Sequence, residues 1–260
     1  MIIAILGFGR FGQAFSEMLA QAGHAVRVFD PVANIPASLA SASLAAAIDG
    51  ARLIVLAMPV PHMRDALLEL RPLLRAGQTV IDVGSVKLHP CAMMDELLGA
   101  RIPHAGTHPL FGPLSLARGE RPLRTVICAS TQHPRAAIDA RQLFADLGCE
   151  VIEQDPETHD RAMASTHALA FFIAKGLVNM GVDEDMTVAP PSFQGLKRMV
   201  AAVRGDAGHL FAAIQQENPF AAEARARLLD ALGEIHRELL SGADESGKLA
   251  IPPGTEDGNT

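Results

Sequence analysis

Short apolar runs alternate with helical spacings along the first 153 residues. Ile2-Ile-Ala-Ile-Leu6, Ala25-Val-Arg-Val-Phe29 and Leu53-Ile-Val-Leu-Ala57 read as strands, the last stopped by Met58-Pro59. Thr79-Val-Ile-Asp-Val83, Thr125-Val-Ile-Cys-Ala129 and Glu150-Val-Ile-Glu153 follow. Between the first two, Phe11, Ala14, Phe15, Met18 and Leu19 fall on one side of a helix over residues 10–22. Strands that are apolar throughout belong to sheets covered on both faces, which predicts parallel pairing. Their alternation with helices predicts an α/β doubly wound fold of Rossmann type.

After about residue 156 no further strand pattern appears. Residues 158–181 predict one long helix, apolar on most sides. Residues 192–203 and 210–216 predict shorter helices, and 219–240 a long amphipathic one with Pro219 near its start. The expected division is therefore a dinucleotide-binding domain over 1–154 and an all-helical substrate and dimerisation domain over 155–260. A helix apolar all round must be buried, and so small a domain buries it more easily in a homodimer. The tail beyond Ser241, rich in Gly, Pro and acid, predicts disorder.

Composition narrows the partners. The net charge of −7, with 4% aromatic residues and neither Trp nor Tyr, argues against a nucleic-acid partner. No apolar run is long enough for a membrane span, and no signal-peptide pattern precedes the first strand. Cys91, Cys128 and Cys149 show no metal-ligand spacing and read as core thiols of a cytoplasmic protein. No metal site is expected.

The first candidate chemistry is Gly7-Phe8-Gly9-Arg10-Phe11-Gly12, which fits G-x-G-x-x-G between a strand and a helix. Gly7 permits the turn, Gly9 lets a pyrophosphate approach the backbone, and Gly12 lets the helix pack closely on the strand. The helix N-terminus offers free N–H groups to the phosphates. Asp30 ends the second strand, where a carboxylate accepts the adenosine ribose hydroxyls and repels a 2′-phosphate. The expected cofactor is NAD, with Pro59 after the third strand as a further contact.

Three further stretches narrow the chemistry. Asp82-Val-Gly-Ser-Val-Lys87, Gly106-Thr-His-Pro-Leu-Phe-Gly-Pro113 and His159-Asp-Arg161, in this order and spacing, resemble the prephenate/arogenate dehydrogenase family. Gly205-Asp206, Leu210-Phe211 and Asn218-Pro219 look most like its arogenate-using members. The resemblance implies NAD-dependent oxidative decarboxylation of a cyclohexadienyl substrate, the step that makes the ring of tyrosine. It also implies His108, held in a loop by Pro109, as acceptor of the hydroxyl proton, since a neutral imidazole has a reference pKa of about 6.5. Ser85 would orient His108 or the substrate hydroxyl, and Lys87 would stabilise charge. His159-Asp160-Arg161 is expected to start and anchor a helix.

Two substrate groups stay open. Many prephenate-using relatives carry a histidine where this chain has Phe171; His167, one turn earlier, is either its substitute or a core residue. The arginine that some relatives place after the Pro190-Pro191 turn aligns with Ala202 here. Arg198, one turn before it on the same face, is then the expected carboxylate anchor, with Arg204 second. Prephenate, arogenate and an amino-substituted prephenate are not told apart. A related hydroxy-acid dehydrogenase, or a NAD-binding sensor without catalysis, also remains open at this level.

Overall fold

The computed structural model describes residues 1–182, 189–205 and 208–240. Seven strands form one sheet: β1 (Ile2–Leu6), β2 (Ala25–Phe29), β3 (Leu53–Leu56), β4 (Thr79–Asp82), β5 (His104–Pro109), β6 (Leu123–Ala129) and β7 (Cys149–Glu153). Their order is β2-β1-β3-β4-β5-β6-β7. The connections carry α1 (Arg10–Gln21), α2 (Leu44–Ile48), α3 (Val60–Leu70), α4 (Leu88–Leu98), α5 (Pro113–Ala117) and α6 (Pro134–Asp146). Side chains alternate across each strand, so β1 feeds two cores. Ile3 and Ile5 meet Phe15, Leu19 and Phe144 on one face. Ala4 and Leu6 meet Met63, Leu67 and Leu70 on the other. Both faces are covered, as the continuous apolar runs required.

Two details depart from the sequence reading. The segment with His108 is not a loop but strand β5, parallel to β4. Its composition, His-Ala-Gly-Thr-His-Pro, has no apolar run to reveal it, yet all six residues are buried. Strand β6 then runs antiparallel to β5, with Ala105 opposite Ala129 and Pro109 opposite Thr125. An apolar run reports cover on both faces, not strand direction. The short return through α5 leaves and re-enters the sheet at one edge, where a parallel partner needs a crossover.

Beyond β7 the described residues are helical: α7 (Pro156–Met163), α8 (Leu169–Asn179), α9 (Gln194–Gly205), α10 (His209–Ala212) and α11 (Ala221–Leu240). The predicted long helix is continuous but starts earlier. Asp155 caps α7 by accepting from the Thr158 N–H at 2.9 Å, so His159-Asp160-Arg161 is not the cap. Between α7 and α8 lies a π-helical turn, Ala164–Ala168, and a second one, Ala213–Glu217, packs against it. Gln215 Nε2 bridges them, donating to the Ala168 carbonyl at 2.7 Å.

The π turn changes which face His167 occupies. On an unbroken α-helix, residues 159 and 167 would stand about 80° apart around the axis; one residue absorbed in the bulge cuts this to about 20°. His159 and His167 therefore share a face. Asp206 and the tail after Ser241 lie outside the described residues. No described helix is long and apolar enough to cross a membrane.

Candidate active site

The C-terminal edge of the parallel strands gathers the glycine loop, Asp30, Pro59, Ser85 and His108. Sheet order reverses at β1, between β2 and β3, which opens a crevice there. In the loop, the three glycines have different duties. Gly7 has φ +106°, and a Cβ on it would meet the Ala57 carbonyl oxygen at 2.6 Å. A Cβ on Gly12 would meet the Gly7 carbonyl oxygen at 2.4 Å. The fold itself requires both. Gly9 has none of the described residues within 4 Å of its Cβ position, its chain neighbours aside, and an ordinary extended backbone. It also stands at the N-cap of α1, where no side chain bonds the first N–H groups. A bare, uncapped helix start that the fold does not need is the cradle a pyrophosphate fits.

The rings of Phe8 and Phe11 turn inward, Phe11 stacking on Phe15 at 5.5 Å, so these positions offer a ligand their backbone. The Arg10 side chain is exposed. Asp30 accepts from the Phe8 N–H at 2.7 Å and from the Val32 and Ala33 N–H groups at 2.9 Å. It thus ties the glycine loop to the end of β2. Partial burial pushes its carboxyl pKa up, but the three hydrogen bonds outweigh that and hold it below the usual aspartate range. Arg27 is drawn away to the Ala46 and Asp49 carbonyls. Pro59 caps α3 without a side-chain bond, so a second helix start faces this edge.

At the end of β5, His108 is 3% exposed. Its Nδ1 lies 2.9 Å from His159 Nε2, and His159 Nδ1 lies 2.7 Å from Asp160 Oδ1. The His167 ring stacks 6.3 Å from that of His108 and meets Phe171 edge-on at 4.8 Å. Burial, then the neighbouring His159, Lys87 and His167, hold the His108 pKa well below the ordinary histidine range. Burial and His159 bring His167 down to about 4. Both rings are thus neutral at neutral pH. Among the described residues no group bonds His108 Nε2. It is the unengaged corner of the ring.

Lys87 is placed differently from the sequence reading. Its side chain is fully buried and paired with Asp82. Asp82 also accepts from the Gly84 N–H at 2.9 Å and the Thr107 N–H at 3.2 Å. The pair fastens the β4 loop beneath β5, with the Lys87 ammonium turned to Asp82. Ser85 is half-buried and makes no hydrogen bond to His108; His159 holds that position instead. Arg204 donates to the Val182 carbonyl at 2.8 Å. Arg198 is exposed on α9, which packs on α8. The residue the sequence reading undervalued is His159, since Asp160 at the next position turns it toward β5. Among the described residues no His, Cys, Asp and Glu cluster could hold a metal ion.

Residues 36–152 match the family model "Prephenate dehydrogenase, nucleotide-binding domain". The chain is 28% identical, over 94% of its length and 86% of the relative's, to "4-amino-4-deoxyprephenate dehydrogenase" of Streptomyces pristinaespiralis. It is 26% identical, over 76% of its length, to "Probable arogenate/prephenate dehydrogenase" of Methanocaldococcus jannaschii, where the match spans only 46% of that protein. A crystal structure of prephenate dehydrogenase from A. aeolicus with hydroxyphenyl propionate and NAD+ shares the fold. Its TM-score is 0.74 at 20% identity, over 95% of this chain and 93% of that one. The family match begins after the glycine loop and Asp30, so the reading of those residues rests on their own geometry.

Proposed function

The chain belongs to the prephenate/arogenate dehydrogenase family, and from that premise we propose that it oxidatively decarboxylates a cyclohexadienol with NAD. Prephenate, arogenate or an amino-substituted prephenate would be the substrate, and the product an aromatic ring. The observation that carries the reading is His108, a neutral imidazole whose Nδ1 is engaged and whose Nε2 is bonded by none of the described residues. It stands on the same edge of the sheet as the glycine loop. When bound, the nicotinamide supplies a hydride acceptor. His108 Nε2 takes the proton of the ring hydroxyl as its carbon loses hydride, and CO2 leaves from the opposite carbon as the ring becomes aromatic. Ser85 remains a candidate to orient that hydroxyl. His167 and Phe171 form a wall for the ring, and Arg198 anchors a substrate carboxylate.

Steady-state kinetics with the three substrates and both nicotinamide cofactors test this reading. One of the three should turn over with NAD well ahead of NADP, because Asp30 meets the ribose and Arg27 is engaged elsewhere. Replacing Asp30 by Ser with an Arg at Pro31 should move preference toward NADP. In the same assay Arg198→Ala should raise KM far more than it lowers kcat, since a carboxylate anchor acts in ground and transition states alike. Equal use of both cofactors, or turnover of none of the substrates, contradicts the reading.

The helical half is also proposed to form a homodimer. Leu229, Leu232, Ile235 and Leu239 are exposed at helical spacing along α11. Light scattering should give twice the chain mass at micromolar concentration. A stable monomer would refute the dimer. The three free thiols suit a reducing compartment such as the cytoplasm.

A further inference from the structure

His108 can accept a proton at Nε2 only in the tautomer that carries its hydrogen on Nδ1. The two ring nitrogens are equivalent neither in position nor in partners, so something must select that tautomer. The selection is visible in the chain of contacts behind the ring.

It starts at Asp160. Its Oδ1 accepts from the Lys87 N–H at 2.7 Å and its Oδ2 from the Leu88 N–H at 2.9 Å. These are the first N–H groups of α4, where positive partial charge gathers. Both oxygens of Asp160 thus act as acceptors of backbone donors. Oδ1 also faces His159 Nδ1, so that nitrogen must donate. Neutral His159 then presents a lone pair at Nε2. The only hydrogen that can fill the 2.9 Å contact to His108 is the one on His108 Nδ1. The backbone oxygen of Asp160 is held by Asn218 Nδ2 at 2.8 Å, which fastens the same turn from the helical half.

We infer that His159, anchored by Asp160, is a positioning residue that locks His108 in the Nδ1–H tautomer and so leaves Nε2 as the proton acceptor. This rests on the proposed role of His108. It goes beyond it in assigning the selection to a second histidine 51 residues away on α7. Charge on His159 opposes charge on His108, so the lock requires the neutral form of both rings. Lys87 from the α4 start, with its partner Asp82 from β4, and His167 from the π turn are the other ionisable groups around His108.

The test uses nitrogen-15 NMR of the histidine side chains in the full chain at pH 8, with His108 assigned by the signals lost in His108→Asn. The wild type should show a protonated Nδ1 and a pyridine-type Nε2. In His159→Leu the two tautomers should mix, kcat should fall about 10²-fold, and substrate KM and NAD affinity should stay within about threefold. His159→Gln, whose amide oxygen can still accept from Nδ1, should recover kcat to within about tenfold of wild type. An Nε2–H tautomer in the wild type overturns the inference, and so does normal kcat in His159→Leu where His108→Asn is impaired. The NMR signature needs no turnover. If His108 is not the base, His108→Asn stays active while the wild-type tautomer still reads as stated, so the two failures are distinguishable.

Discussion

His108→Asn should lower kcat by about 10²–10⁴, the span of general base catalysis, while NAD affinity stays nearly unchanged. Asparagine keeps similar size and a hydrogen bond but cannot hold the proton. The ring lies against α7 and the π turn rather than in the glycine loop, so cofactor binding has no reason to change. The wild-type pH profile gives the same claim a sign. Only the neutral imidazole accepts, and burial with the neighbouring His159, Lys87 and His167 holds the pKa well below 6.5. Activity should therefore stay level as pH falls through 6.5 and drop only below it. That limb should be absent in the residual activity of His108→Asn. A midpoint at or above 6.5, or near-normal kcat in the variant, would show that another group takes the proton.

Gly9→Val and Gly12→Val should fail in opposite ways. At Gly12 the new side chain would drive into the Gly7 carbonyl oxygen, already 2.4 Å from the Cβ position. Overpacking of this kind costs about 1–3 kcal/mol, so the variant should unfold at lower temperature. At Gly9 no described residue beyond its own chain neighbours lies within 4 Å of the Cβ position, and the backbone is one any residue adopts. The melting temperature of Gly9→Val should stay close to wild type. NAD affinity should nonetheless fall about 10²–10³-fold, roughly 3–4 kcal/mol, because the side chain fills the approach to the α1 start. Differential scanning fluorimetry and calorimetric titration with NAD read the two effects separately. Undiminished NAD binding in Gly9→Val would place the cofactor elsewhere.

The sheet was legible because β1 and β3 are apolar throughout and β2, β4, β6 and β7 each hold a run of β-branched or other apolar residues, so β1, β2 and β7 fall within a residue of where the pattern puts them. Strand β5 was not, because its buried polar residues are partnered by groups on other elements of the fold. His104 lies 2.8 Å from Asp95 and Thr107 bonds to Asp82, and such pairing leaves no periodic trace. The same holds for the site. The glycine loop, Asp30 and His108 announce themselves by local motif. The burial of Lys87 does not, since a lysine in a loop reads as solvent-facing until Asp82 is seen beneath it. His159 was hidden by its helix: as part of His-Asp-Arg it resembles a helix opening, but Asp155 already caps α7. The π turn was invisible because hydrophobic periodicity assumes one fixed rotation per residue, and the bulge is what swings His167 toward His108.

The most direct measurement of the proposed reaction is its stoichiometry. With prephenate, arogenate or the amino-substituted prephenate, NADH should be followed by absorbance and CO2 trapped from the same reaction. Hydride loss and decarboxylation are one event in this account, so the substrate that turns over should yield one CO2 for each NADH throughout the time course. NADH formed without CO2 would make the chain a simple alcohol dehydrogenase, and CO2 released without NADH a decarboxylase; either result contradicts the account.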